Sequence, residues 1–320
     1  MPTPIHASLP DSDAVRADAI LAELLSFLED RHYRFVTPTP ATHRRVLERP
    51  GKDLARDLRD ALGWSRPFEK DLLPQRLLEL LMEYGWCGSW KGALKFGIRV
   101  STISDRLFVH SAFPTDDPNS VFLGPDSYRF ADFVRRELIQ HPGGSRLVDI
   151  GAGAGVGAIT AAPLLPGARL ALTDINPLAL RFARVNAFHA GIEVETFEGS
   201  CLEGISGPID LAIANPPFIV DDGKRAYRDG GSMHGAELSL MWAKAAMARL
   251  EPGGRMLLYT GSAIVNGRDA LEDGLKAEAG RIGAKLRYRE IDPDIFGEEL
   301  DRPAYATVDR IAAVGAVIRC

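Results

Sequence analysis

The 320-residue sequence predicts an α/β protein: a doubly wound, mostly parallel seven-stranded sheet preceded by a smaller α+β unit. Three observations predict it. From about residue 121, short β-rich runs alternate with helical stretches, the pattern of successive βαβ units. The first of those runs, RLVDI at 146–150, ends in a glycine-rich turn. Before residue 114 the order is different, with helical patterns first and two alternating runs after them.

The elements follow in order along the chain. A helix ending near residue 30 carries Ile20, Leu21, Leu24, Leu25 and Leu28 on one face. TPTPAT at 37–42 interrupts it, and helical patterning resumes over 42–48, 52–62 and 70–84. LKFGIRVSTI (94–103) and RLFVHSAF (106–113) alternate as two strands around a tight turn near Ser104 and Asp105. PTDDPNS (114–120) reads as a linker, which divides the chain into residues 1–118 and 119–320. In the second unit, strands are expected at 146–150, 168–175, 192–199, 209–215, 254–261, 284–291 and 310–320, with helices at 177–191 and 236–250. Nothing helical separates the last two strands, so that pair is expected to be antiparallel.

Composition bounds the class. Hydrophobic residues make up 46% and charged residues 25%, enough apolar material for a core and enough charge for solubility. The net charge of −5 does not announce a polyanion binder. Its distribution is uneven, however: residues 31–110 hold 15 basic and 9 acidic side chains, against an acidic N-terminus and C-terminal part. That block fits either a solvated helical surface or a patch facing RNA or another polyanion. Cys87, Cys201 and Cys320 are dispersed, with no Cys-x-x-Cys or Cys/His cluster, so neither a metal site nor a disulfide framework is expected. No apolar run reaches membrane-spanning length and the N-terminus does not read as a leader, so a cytoplasmic protein is expected.

The chemistry concentrates at three strand ends. After RLVDI the chain reads Asp149-Ile150-Gly151-Ala152-Gly153-Ala154-Gly155-Val156-Gly157. Glycines there permit a tight turn and close approach of a ligand to the backbone. The second strand ends at Asp174, 23 residues after Gly151, where a carboxylate can accept both hydroxyls of an adenosine ribose. These two features fit NAD as well as S-adenosylmethionine (SAM), since Gly153 to Ala158 also matches a nicotinamide fingerprint. The fourth strand ends in Asn215-Pro216-Pro217-Phe218.

Taken together, Asp-x-Gly-x-Gly-x-Gly, the acid at Asp174 and Asn-Pro-Pro-Phe resemble the class I SAM-dependent methyltransferases, with their Rossmann-like sheet. More narrowly they resemble the branch that methylates planar nitrogens: adenine and guanine amino-methyltransferases of DNA and RNA, and release-factor glutamine methyltransferases. The resemblance covers about residues 120–320. It implies that Asp149, Gly151, Gly153 and Gly155 line the methionine part of SAM, that Asp174 holds the ribose and that Ile175 packs on adenine. Ser200 stands where family members often place an Asp near the adenine amine. VFLGPDSYRF (121–130) is similar to the Ile-Pro-Arg-Pro-Glu-Thr-Glu segment of the release-factor enzymes, which places Pro125 at the cofactor. Gly124 and Tyr128 depart from that pattern.

The corner suits the reaction. An amide or aryl amine nitrogen has its lone pair delocalised, and two acceptors on its N–H groups orient it and stabilise the charge that grows there. Asn215 offers a side-chain carbonyl and Pro216 a backbone carbonyl, while consecutive prolines stiffen the corner. Phe218, with Pro217 beside it, would stack on a flat acceptor. Residues 221–237 form a polar loop in which Tyr227 adds a wall and Arg228, with Lys224 and Arg225, faces a phosphate or an acidic peptide. His234 reads as a surface or capping residue rather than a base.

The expected function is therefore SAM-dependent N-methylation, with S-adenosylhomocysteine as product. The acceptor is left open between an RNA or DNA base, a protein glutamine and a small molecule or peptide. RNA, the ribosome or a translation factor is the expected partner, the N-terminal unit recognises the substrate, and the protein is a monomer. An NAD-dependent oxidoreductase and a non-catalytic binding protein on the same fold are the other classes. The first leaves Asn-Pro-Pro-Phe unexplained, and the second leaves two motifs without use.

Overall fold

The computed structural model describes residues 11–51, 53–139, 146–221, 223, 225 and 227–320. The N-terminal unit begins with α1 (Asp11–Glu29) and α2 (Pro40–Leu47), the latter started by Thr39, whose hydroxyl accepts from the Thr42 amide. The helix expected over 52–62 is instead a set of bends ending in a π-type turn at Arg59–Gly63. Aspartates draw the backbone away from an α-helix: Asp57 accepts from the Asp60 amide at 2.7 Å, and Asp60 accepts from the Arg56 amide. The helix expected over 70–84 is cut at Pro74, which leaves Leu73 extended and confines α3 to Gln75–Glu83.

Two hairpins follow. The expected strand 94–103 is split at Gly97 into β2 (Ala93–Phe96) and β3 (Ile98–Ile103), and β2 pairs with β1 (Cys87–Trp90), which the periodicity did not suggest. The expected hairpin of β3 with β4 (Arg106–Ser111) is present, turning through Ser104 and Asp105, both at positive φ.

The second unit contains α4 (Pro125–Leu138), β5 (Arg146–Ile150), α5 (Val156–Ala161), β6 (Arg169–Asp174), α6 (Pro177–His189), β7 (Glu195–Glu198), β8 (Ile209–Ala214), α7 (Glu237–Met247), β9 (Leu250–Val265), β10 (Arg268–Asp269), α8 (Ala270–Ile282), β11 (Lys285–Asp292) and β12 (Arg310–Arg319). Sheet order is β11-β12-β9-β8-β5-β6-β7, with the two-residue β10 beside β9. The strands β7, β6, β5, β8 and β9 are parallel, and β12 runs antiparallel to both β9 and β11, as the missing crossover required.

Side-chain alternation decides what covers each face. Leu147, Leu172, Leu211, Ile213 and Leu257 face a core completed by Phe130, Phe133 and Val134 of α4 and Ala158 of α5. Val148, Ile150, Ala212, Ala214 and Met256 face the other core, closed by Trp242 and Ala243 of α7 and Leu275 of α8. The third core joins the two units: Leu21, Leu24 and Phe108 of the N-terminal part pack with Phe182 and Val185 of α6. Arg181 pairs with Asp18 across the same junction, and Arg106 donates to the Ile159 carbonyl at 3.1 Å. None of the helices among the described residues is long and apolar enough to cross a membrane.

Candidate active site

The chain reverses direction of travel across the sheet between β5 and β8, and such switch points open a crevice at the strands' carboxyl ends. Register makes the crevice specific. Ile150 pairs with Thr173 on one side and with Ala214 on the other. The next residues along, Gly151, Asp174 and Asn215, therefore emerge side by side. A cavity of about 680 Å³ opens there, within the roughly 300–1,000 Å³ of small-molecule sites.

Gly151, Gly153, Asp174, Ile175 and Ser200 line one end. Gly151 has φ +66, and a Cβ there would stand 2.4 Å from the Trp242 ring, so the turn and the close packing both require glycine. The Asp174 carboxylate is aimed by two amides, accepting from Gly153 and Asn176 at 2.9 Å each. Its other lone pairs are left for a ligand. Ile175 presents its side chain 55% exposed.

Three residues assigned to the cofactor do not reach this wall. Asp149 is buried behind it, accepting from the Ala158 amide at 2.8 Å. Gly155 packs helix on helix, where a Cβ would come within 3.2 Å of the Ala183 Cβ. Pro125 is the first residue of α4, and its neighbours Asp126 and Ser127 line the cavity instead. Asp126 is held by the Tyr259 hydroxyl at 2.7 Å. Burial pushes the Asp149 carboxyl up to about 7, and the Asp174 charge adds to that effect; burial likewise raises Asp174. Neither acid has an ion-pair partner among the described residues.

The other end is formed by Asn215, Pro216, Pro217 and Phe218. The Asn215 Oδ1 is buried and has no hydrogen-bond partner among the described residues. Phe218 meets Phe296 edge-on at 5.6 Å and covers Gly261 of β9. Behind it the described residues from Asp229 to Leu238 pack back on Ile219. Ile219 bridges Asp229, and the Gly230 amide donates to the Ile219 carbonyl at 2.9 Å.

The arginines of that segment are used internally. Arg225 binds Asp221, and Arg228 is shared between Asp221 and Glu299. Arg228 lines the cavity but its charge is already compensated, which corrects its assignment as a free substrate cation. Tyr227 does form a wall: it stacks on Phe122 at 5.8 Å and donates to the Thr115 carbonyl at 2.7 Å. Lys224 lies outside the described residues, and His234 does not line the cavity.

The family model for the methyltransferase small domain matches residues 133–277. A release factor glutamine methyltransferase of Neisseria gonorrhoeae is 30% identical over 202 residues, covering 59% of this chain and 68% of that protein. The chain belongs to the methyltransferase small domain family. A second release factor glutamine methyltransferase, from Deinococcus radiodurans, is 32% identical over 191 residues, 58% of this chain and 66% of that protein. A ribosomal RNA large subunit methyltransferase G of Vibrio vulnificus is 32% identical over 133 residues, 36% of this chain and 35% of that protein. The chain spans 66%, 49% and 27% of the length of three release factor glutamine methyltransferases that it matches.

In this member of the family, several wall residues lay outside any motif. Trp242 comes from mid-α7 and Phe296 from the segment before β12, while Phe122 lies in the 121–130 segment without having been given a role there. Asn186, on α6, is fully buried and ties the two units to the glycine turn. It accepts from the Val109 amide and donates to the carbonyls of Val109 and Ala154, at 2.8, 3.1 and 2.9 Å.

Proposed function

We propose that the protein is a SAM-dependent N-methyltransferase acting on a planar nitrogen, either the exocyclic amine of a nucleic acid base or a glutamine amide. The observation that carries this reading is the Asn215 Oδ1. It is a buried acceptor without a partner, at the switch point of the sheet, beside a stacking phenylalanine. An unpaired buried acceptor costs about 1–3 kcal/mol, and a donor supplied by the substrate removes that cost.

The wall also fits the cofactor. Asp174 sets a carboxylate without an ion-pair partner among the described residues in the wall at one end, suited to a cationic ligand, and has lone pairs for two ribose hydroxyls. Gly151, Gly153, Ile175 and Ser200 would hold the rest, with Asp126 and Ser127 closing the side. When bound, SAM supplies an activated methyl group on a sulfonium. Everything else falls to the chain. Asn215 and the Pro216 carbonyl accept from the acceptor's N–H groups and turn its lone pair toward the methyl. Phe218 and Phe296 hold the flat group and exclude water. An NAD-dependent oxidoreductase would give the Asn215 acceptor nothing to do.

RNA, the ribosome or a translation factor remains the partner class in this reading, with residues 1–118 recognising it as a monomer in the cytoplasm. The first test is calorimetry with S-adenosylhomocysteine. Binding is expected, and Asp174→Ala is expected to weaken it at least about tenfold, since two charge-assisted hydrogen bonds are worth more than 1.4 kcal/mol. Absence of binding by the intact protein sinks the reading.

A further inference from the structure

The cavity mouth is built partly by the N-terminal unit. Pro40, Ala41, Arg44 and Arg45 of α2 line it together with Phe113, which lies just after β4. Arg44 and Arg45 are exposed, and neither makes an ion pair or a side-chain hydrogen bond among the described residues. This separates them from Arg225 and Arg228, whose charges are taken up by Asp221 and Glu299.

A buried arrangement fixes how α2 presents these cations. His43 stacks on Phe113 with centroids 4.2 Å apart. Its Nδ1 lies 3.3 Å from Nη1 of the buried Arg99, and its Nε2 lies 2.9 Å from the Trp64 carbonyl. A guanidinium only donates, so Nδ1 accepts and Nε2–H donates to Trp64. Burial and the Arg99 charge hold the ring down at about 3, so it is neutral. His43 is thus a peg, and its two successors on the helix face outward at the mouth.

The same Phe113 is reached from the β1–β2 hairpin. Lys95 Nζ donates to the Phe113 carbonyl at 3.5 Å. Lys95 and Lys91 place their ammonium groups 5.0 and 5.9 Å from the centre of the half-exposed Trp90 ring. Neither lysine has an ion-pair partner among the described residues. Arg44 and Arg45 thus stand at the mouth with Phe113, and Lys95 reaches Phe113 from the hairpin that also carries Lys91 and Trp90. Asp116 and Glu298 also line it, but the Asp116 charge acts on Arg225, on the loop side.

We propose that Arg44, Arg45, Lys91, Lys95 and Trp90 form a track for a single-stranded or looped polynucleotide, which delivers one extruded base to the Asn215 corner. Cations spaced along a surface take successive phosphates, and an aromatic face between them stacks on a base without reading its sequence. A base must leave its stack to enter so enclosed a site, which selects single strands and loops. The delivery of a base rests on the N-methyltransferase reading; the binding does not.

Fluorescence anisotropy tests this with the full chain and two labelled 20-nucleotide probes of one mixed sequence, RNA and DNA. For four phosphate contacts, log affinity should fall with log salt at a slope of about −3. Arg44→Glu with Arg45→Glu should weaken binding more than tenfold, while the Arg44→Lys, Arg45→Lys pair should retain most of it. Trp90→Ala should weaken binding about 5- to 100-fold. The probe bound more tightly identifies the sugar. S-adenosylhomocysteine affinity, measured on the same samples, should stay within about twofold and certifies the fold. Two results overturn the track: unaltered polynucleotide binding in the Arg44→Glu, Arg45→Glu variant, or polyglutamate of equal charge displacing the probe as well as unlabelled RNA does. A protein that binds the probe through these residues yet fails to bind S-adenosylhomocysteine keeps the track and loses the methyltransferase reading.

Discussion

Gly261 offers a way to move Phe218 without touching the cofactor wall. It lies in β9 opposite Ala313 of β12, and the Phe218 ring packs directly against it. A Cβ at 261 would stand 2.3 Å from Cδ2 and 2.6 Å from Cε2 of that ring, whereas ordinary contact is 3.4–4 Å. Both neighbours of Gly261 are central strand residues of a closely packed sheet, so the ring, not the strand, must move, and by more than about 1 Å. Misplacing a positioning group by that distance can cost about 10²-fold in rate. Gly261→Ala should therefore lower transfer of a tritiated methyl group from SAM into macromolecules of a cell extract about 100-fold. S-adenosylhomocysteine affinity should remain within about twofold, and overpacking should destabilise the fold by about 1–3 kcal/mol. Adding Phe218→Ala to Gly261→Ala should recover stability but not transfer. Wild-type transfer by Gly261→Ala would refute the role given to Phe218.

Two further outcomes follow from buried polar groups. Asn186→Leu removes the partner of the Val109 amide and of the Val109 and Ala154 carbonyls. It should cost on the order of 4 kcal/mol in urea unfolding, and it should weaken S-adenosylhomocysteine binding because Ala154 belongs to the glycine turn. Asp149 gives a pH signature. Its folded value of about 7 stands above the ordinary 3.8, so between those values the native state holds a proton the unfolded chain has released. Stability of the ligand-free protein should accordingly be greatest below about pH 4 in this respect and fall as pH rises to about 7, by up to about 4 kcal/mol. Asp149→Asn should abolish that part of the slope in urea midpoints measured at pH 5 and pH 8, and a slope unchanged by the substitution would contradict the assignment.

The motifs were legible because their meaning is local. A glycine turn, a strand-ending acid and Asn-Pro-Pro-Phe each follow a β-rich run, and strand register alone brings Gly151, Asp174 and Asn215 together. What could not be read depended on partners distant in sequence. Nothing around Trp242 says that it will press on Gly151, and nothing around Asn186 says that it will bind Val109 and Ala154. Arg228 looked available because Glu299 is 71 residues away in the chain. Asp149, Gly155 and Pro125 belong to matching motifs yet act behind the wall, in packing and helix initiation. In the N-terminal unit, the apolar period over 52–62 was helical, but Asp57 and Asp60 compete for the backbone amides. Gly97 breaks one expected strand into two, and the first of them, β2, pairs with β1 to form the hairpin that carries Trp90.

The central claim is that Asn215 accepts from the nitrogen being methylated and contributes little to holding the cofactor. Asn215→Ala, assayed for tritiated methyl transfer into cell-extract RNA, DNA and protein alongside calorimetry with S-adenosylhomocysteine, addresses it directly. The account predicts transfer reduced by about 10²–10³-fold, as when one acceptor or donor aimed at developing charge is removed, with cofactor affinity within a few-fold of wild type. Undiminished transfer by Asn215→Ala would contradict it.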